Sequence, residues 1–194
     1  MGISKPSAHR GARKALLEAT EALLLEGGPE AVSIRAVVKR SGFSTPTIYH
    51  HFGDKDGLID AVLELRVAEQ LEMMRQVPKY SDPLKYLREI TNSYMEFGFQ
   101  NPSHYRLMSS PRPGSKPLPS AQQIRMMYVA VLTDAAPGAR DLEGLFELSW
   151  AVMHGIISVQ IQRPGFEFNT RLIEMGLDMF EAEVRRFASV GQDS

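Results

Sequence analysis

The chain has 194 residues, 43% of them hydrophobic and 23% charged, which argues against global disorder and allows a small domain joined to a larger one. It contains no cysteine, so disulfides, thiolate metal sites and cysteine nucleophiles are excluded, and a reducing cytoplasm is the expected setting. The net charge of −1 argues against a general nucleic-acid coat, but residues 1–53 carry seven basic and four acidic residues while the remainder carries 15 and 19, a basic head on an acidic body.

Residues 1–9 read as a flexible tail ahead of the first periodic segment. From Arg10 to Glu26, Ala12, Leu16, Leu17, Ala19, Leu23 and Leu24 recur at helical spacing, and "GGPE" at 27–30 ends that helix. Ser33 can cap a second helix with Ile34, Val37 and Val38 inward, followed by the glycine-containing turn "SGFS". Ser44 then opens a very short third helix, with Pro46 tolerated in its first turn. Asp54 starts a fourth helix running to about Arg75. Asp82 and Pro83 open a fifth, with Leu87, Ile90, Tyr94 and Phe97 on its apolar face, and Pro102 opens a sixth. Four prolines within 111–119 mark the clearest loop. Helices follow at about 120–136, 140–162 and 170–189, with "PG" breaks at 137–138 and 164–165. No segment shows a period of two, so the expected fold is all-α, about nine helices: a three-helix head over 10–56 and a helical body over 57–194.

The third helix, "STPTIYHHF" at 44–52, contains no acid, Lys or Arg. Ile48 and Phe52, four apart, and Phe43 in the turn are apolar anchors, which leaves Thr45, Pro46, Thr47, Tyr49 and His50 outward. Hydroxyls can bond base edges, Pro46 and threonine methyls suit a thymine methyl, and Tyr49 can bond phosphate. Helix-turn-helix units place such a helix in the major groove. The competing reading is an ordinary surface helix with a buried aromatic edge. Lys39 and Arg40 are as well explained by solvation as by phosphate contact.

"SIRAVVKRSGFSTPTIYHHFGDKDGLIDAVL", residues 33–63, resembles the DNA-binding signature of the TetR family of bacterial transcriptional regulators. The resemblance is close over 10–75. It implies that Arg35, Thr45, Pro46, Thr47, Tyr49 and His50 occupy DNA-contacting positions, with Ser44 beside them, and that Lys55 contacts the backbone. His51 more often packs internally. Gly53 departs from the family, where a basic or polar residue is common. "NPSHYRLM" (101–108) and "WAVMHG" (150–155) resemble a C-terminal subclass marked by a Trp…His-Gly motif, which implies dimerisation through the last two helices and an effector pocket among the middle ones.

The candidates for that pocket are Tyr94, Phe97, Met108, Met127, Trp150 and His154, drawn from a methionine-rich middle region. A histidine on an apolar helix is more often a hydrogen-bonded core residue than a ligand or base, so His154 also admits a purely structural role. His50 and His51 point about 100° apart with no third ligand in register, so no metal and no cofactor are expected. No catalytic motif such as G-x-S-x-G or H-E-x-x-H appears, and Ser149 and His154 do not share a helix face. No signal-peptide core opens the chain and its apolar stretches are interrupted, so neither secretion nor membrane insertion is expected. The expected protein is a cytoplasmic homodimer that binds a pseudo-palindromic operator, most simply a repressor released by a small molecule. The alternatives are a dimeric DNA-binding protein without a ligand, or a small helical enzyme or carrier.

Overall fold

In a computed structural model of the protein, the structure describes residues 5–110, 117–162 and 170–190. Among these, nine helices and no strand occur: α1 (Lys5–Ala31), α2 (Ile34–Ser41), α3 (Thr45–Phe52), α4 (Lys55–Arg75), α5 (Pro83–Gln100), α6 (Pro102–Ser109), α7 (Pro119–Ala135), α8 (Leu142–Gln162) and α9 (Thr170–Val190). The all-α expectation and the element order hold. The helix begins at Lys5, ahead of the Arg10 start that periodicity suggested, so part of the expected tail is helical. The expected break at 164–165 and most of the proline loop lie outside the described residues.

The chain divides into two compact units. The first comprises α1, α2, α3, α4 as far as Val67, and α6. Its core joins Leu16, Leu17 and Leu24 of α1, Val37 of α2, Ile48 of α3 and Leu58, Ile59, Val62 and Leu63 of α4. Fully burying an aliphatic side chain contributes about 1.5–3 kcal/mol, so this shared set binds the first half of α4 to the head. The compact unit runs to Val67, whereas the sequence suggests a boundary at residue 56. α6 joins the same unit, because Leu107 and Met108 pack against that core and His104 bonds Glu21 of α1.

The second unit comprises α4 from Ala68, α5, α7, α8 and α9. The inward face expected for α5 is buried as Leu87, Ile90, Tyr94 and Phe97, and Asp82 Oδ1 caps it by accepting from the Leu84 amide at 2.9 Å. Arg88 of α5 reaches Asp178 and Glu181 of α9, the latter at 2.8 Å. On α8, Leu145, Ser149, Met153, Ile157 and Ile161 form the buried stripe, packed among α5, α7 and α9. α8 is long and apolar enough by length and composition to cross a membrane, though Glu147, His154 and Gln160 interrupt it, and its buried stripe gives it a core role within its unit. At Gly176 on α9 an added Cβ would come within 2.9 Å of Ile156 Cδ1, so glycine permits the close approach of α9 to α8.

Candidate nucleic-acid interface

Three local devices hold the outward face of α3 in place. Ser33 caps α2, its hydroxyl accepting from the Ala36 amide at 3.2 Å. Gly42 ends α2 in the left-handed region (φ 75°), where a β-carbon is strained, and its amide donates to the Val38 carbonyl at 3.0 Å. The chain then turns and enters α3 through Ser44, whose carbonyl accepts from the Thr47 amide at 3.0 Å. The Ser44 side chain makes no bond to a backbone amide. It lies 2.9 Å from the Thr47 hydroxyl instead, so the side-chain cap that the sequence suggests is replaced by a pair of mutually bonded hydroxyls.

Ile48 is fully buried, and Phe43 and Phe52 pack partly buried against the same core. That fixes the roll of the helix. Ser44, Thr45, Pro46, Tyr49 and His50 are exposed, Thr47 is half-buried, and Tyr49 leaves 52% of its surface open. Arg35 is exposed on α2 and Lys55 half-buried at the start of α4. All eight candidate positions thus lie in one compact unit on α2, α3 and their flanks. His51 is half-buried beside the Phe52 ring (5.9 Å between centroids) and set edge-on to His50 (5.3 Å). Arg13 of α1 lies over the other end of this system, its guanidinium 5.5 Å from the Phe52 ring centre.

The two neighbouring cations of α2 differ. Arg40 donates twice to Glu26 of α1, each bond 2.7 Å, and this hydrogen bonding holds the Glu26 carboxyl below its ordinary value. Lys39 is exposed.

Two glycines carry meaning that the sequence did not disclose. Gly53 adopts φ 81° and its amide closes α3 on the Tyr49 carbonyl at 2.9 Å, which explains glycine at a position where the resemblance led one to expect a polar or basic residue. Gly57 sits in the first turn of α4, where an added Cβ would collide with the carbonyl oxygen of Phe52. Asp54 completes the junction by accepting from the Gly57 amide at 2.7 Å.

The six pocket candidates do not form one group. Met108 belongs to the first unit, where it packs against the head core, whereas the other five belong to the second. Tyr94 and Phe97 are buried on α5 and Met127 is half-buried on α7. Trp150 and His154, four apart on α8, are stacked 5.0 Å apart with planes 11° from parallel, and His154 Nε2 lies 3.3 Å from the Ser158 hydroxyl. Trp150 nevertheless leaves 45% of its surface exposed. Sequence reading passed over Tyr128. Its fully buried hydroxyl donates toward the Thr91 hydroxyl at 3.2 Å, with Met153 Sδ at the same distance. Burial pushes this phenol far up, so it stays neutral and acts as a hydrogen-bonding group within an aliphatic core.

Residues 16–62 match the family described as bacterial regulatory proteins, tetR family, and residues 87–187, more than half of the chain, match the tetracyclin repressor-like C-terminal domain. The chain belongs to the tetR family. Among curated relatives, the HTH-type transcriptional regulator BetI of Burkholderia ambifaria is 35% identical over 80 residues, which is 40% of this chain and 41% of that protein. The match thus spans less than half the length of that relative. Among solved structures, a protein from Shewanella sp. PV-4 assigned to the tetR family of transcription regulators superposes with a TM-score of 0.73 at 15% identity, covering 89% of this chain and 97% of the other. A TetR variant from Acinetobacter baumannii AYE, solved in complex with minocycline, superposes with a TM-score of 0.63 at 17% identity, covering 98% and 99%. At these identities the two structures establish a shared tetR-family fold.

Proposed function

We propose that this tetR-family protein is a sequence-specific DNA-binding transcriptional regulator that acts in the cytoplasm as a homodimeric repressor. The observation that carries this reading is α3 itself. A helix anchored by the fully buried Ile48 and stopped by Gly53 presents hydroxyls, a proline, a half-open tyrosine and a histidine together, with no carboxylate among them. Thr45, Pro46 and Thr47 read base edges, while Tyr49, His50, Arg35 and Lys55 contact phosphate or bases from the flanks. One proton of the Ser44–Thr47 hydroxyl pair is used within the pair and the other is left to donate, toward a phosphate or a base edge at the start of α3.

Dimerisation uses α8 and α9. Leu148, Trp150 and Val159 of α8 and Met175 and Met179 of α9 are large apolar residues left 40–72% exposed within the single chain, on the helices that close the second unit. A two-fold pairing of these faces supplies two copies of α3 for the two halves of a pseudo-palindrome. A small-molecule effector bound in the second unit, with Tyr94, Phe97 and Met127 as candidate contacts, shifts the population of states that fit the operator. α4 is the covalent route for that shift, since its first half belongs to one unit and its second half to the other.

Selection from a random duplex pool with the purified protein tests the reading. A recovered pseudo-palindrome, bound with affinity that falls as salt rises, is the expected result. A folded dimer that enriches no sequence would overturn it.

A further inference from the structure

A cavity of about 360 Å³ opens in the first unit between the early turns of α1 and the middle of α4. Its floor is aliphatic, made by Leu17 and Val62, both nearly fully buried, and by Leu65, which is 41% exposed at the mouth. The rim is basic. Arg10, Arg13, Lys14 and Arg66 line it against Glu18 and Glu21, a surplus of two positive charges. Both carboxylates already face cations: Glu21 takes two bonds from Arg66, at 2.5 and 2.8 Å, and Glu18 lies 3.7 Å from Lys14. The charge surplus therefore falls at the Arg10 and Arg13 end. Neither the candidate DNA-reading positions nor the proposed effector contacts enter this cavity.

We infer that this cleft is a binding site for a small amphipathic anion, an aliphatic monocarboxylate whose chain lies on Leu17, Val62 and Leu65 and whose head meets Arg10 and Arg13. The chemistry follows from the lining, because an aliphatic floor with a cationic edge rewards one molecule that carries both features. The size follows from the volume. At roughly 30 Å³ for each water, the space holds about a dozen heavy atoms, close to those of decanoate. The site borders two structural joints. Arg13 also lies over the ring of Phe52, the last residue of α3. Arg66 and Glu21 form the pair to which His104 of α6 is bonded at 2.9 Å. A carboxylate in the cleft thus sits against contacts that hold both α3 and α6. The inference stands on the cleft alone and does not require that α3 read DNA.

Full-length protein titrated with sodium decanoate below its micelle concentration, followed by backbone-amide NMR, tests this. The expected result is saturable binding with shifts centred on 10–18 and 62–66, weakened by salt. Leu65→Glu, at a partly exposed position, weakens it about tenfold or more through lost apolar contact and added repulsion, and Leu65→Met leaves it within about twofold. Decyltrimethylammonium, with the same chain and the opposite charge, leaves those amides unmoved. Equal binding of that cation would overturn the inference, as would decanoate shifts confined to 119–190 or unaffected by Leu65→Glu. Inorganic phosphate binding at Arg10 and Arg13 with no decanoate binding would assign the rim to a nucleic-acid backbone and overturn it equally.

Discussion

Tyr49 and Thr45 stand four residues apart on one short helix, both exposed, and differ in what their side chains can recognise. The phenol reaches outward with a single polar atom at its tip, suited to phosphate, whereas the threonine offers a hydroxyl and a methyl close to the helix, suited to a base edge. Tyr49→Phe is expected to weaken binding by a similar factor on all duplexes, while Thr45→Ala relaxes preference at one position of the site with a smaller loss on random DNA. Parallel selections with the two variants check this; affinity and preference unchanged in both would remove α3 as the reading helix. Gly57 is a packing constraint of another kind. A methyl there meets the Phe52 carbonyl oxygen, a backbone atom that cannot swing away. Gly57→Ala is expected to cost about 1–3 kcal/mol, read as a lower urea midpoint with an unchanged slope, and to disturb the end of α3 more than a surface alanine would.

At the level of elements, α1, α4 and α6 share, besides their apolar core, a polar tie centred on one carboxylate. Burial pushes the Glu21 carboxyl up, but hydrogen bonds and charge from Arg66, with a further bond from His104, outweigh it and hold the group below its ordinary value of 4.5. The folded-state pKa is therefore lower than the unfolded one. The corresponding stability is complete above the unfolded value and is lost as pH falls through the folded value. Because Glu21 and Arg66 are 18% and 26% exposed, solvent screens part of the effect and the contribution is modest. Glu21→Gln is expected to lose less stability than the wild type as pH falls below about 4.5, and to be the less stable protein near neutrality. Urea midpoints across that range decide the matter; parallel acid limbs in the two proteins would mean the tie carries no measurable energy. Elsewhere the glycines at 42 and 53 explain why α2 and α3 can be as short as eight residues each, since positive φ closes each helix where it must stop.

At the level of the whole molecule, the apolar faces of α8 and α9 govern assembly in the proposed dimer. Met179 is the most open large apolar residue described, at 72% exposure, so a charge placed there leaves the fold intact and opposes pairing. Met179→Glu is expected to shift dimer dissociation by about tenfold or more, and operator affinity should fall with it because a monomer reads one half-site. Sedimentation at several concentrations with an operator-binding assay would check both; an unchanged dimer would place the interface elsewhere. The same scale separates the six pocket candidates between the two units. Met108 lies on α6, which packs with the head, while α5 and α7 on either side belong to the second unit.

What residue type and spacing alone determined was local: the helices, their caps at Ser33, Asp54 and Asp82, the turn at Gly42, and the inward and outward sides of α3. Such features depend on neighbours within about four residues, which the order of the chain states directly. Only the tertiary structure decided that α4 as far as Val67 and α6 from Ser103 join the head, and that Tyr128 buries its hydroxyl against Thr91. It likewise decided that Gly57 faces a carbonyl and that α1 and α4 together line a basic, aliphatic-floored cleft. Each of those brings together residues from separate elements. An amphipathic pattern says that a face must be covered, and the packing of the folded chain selects what covers it.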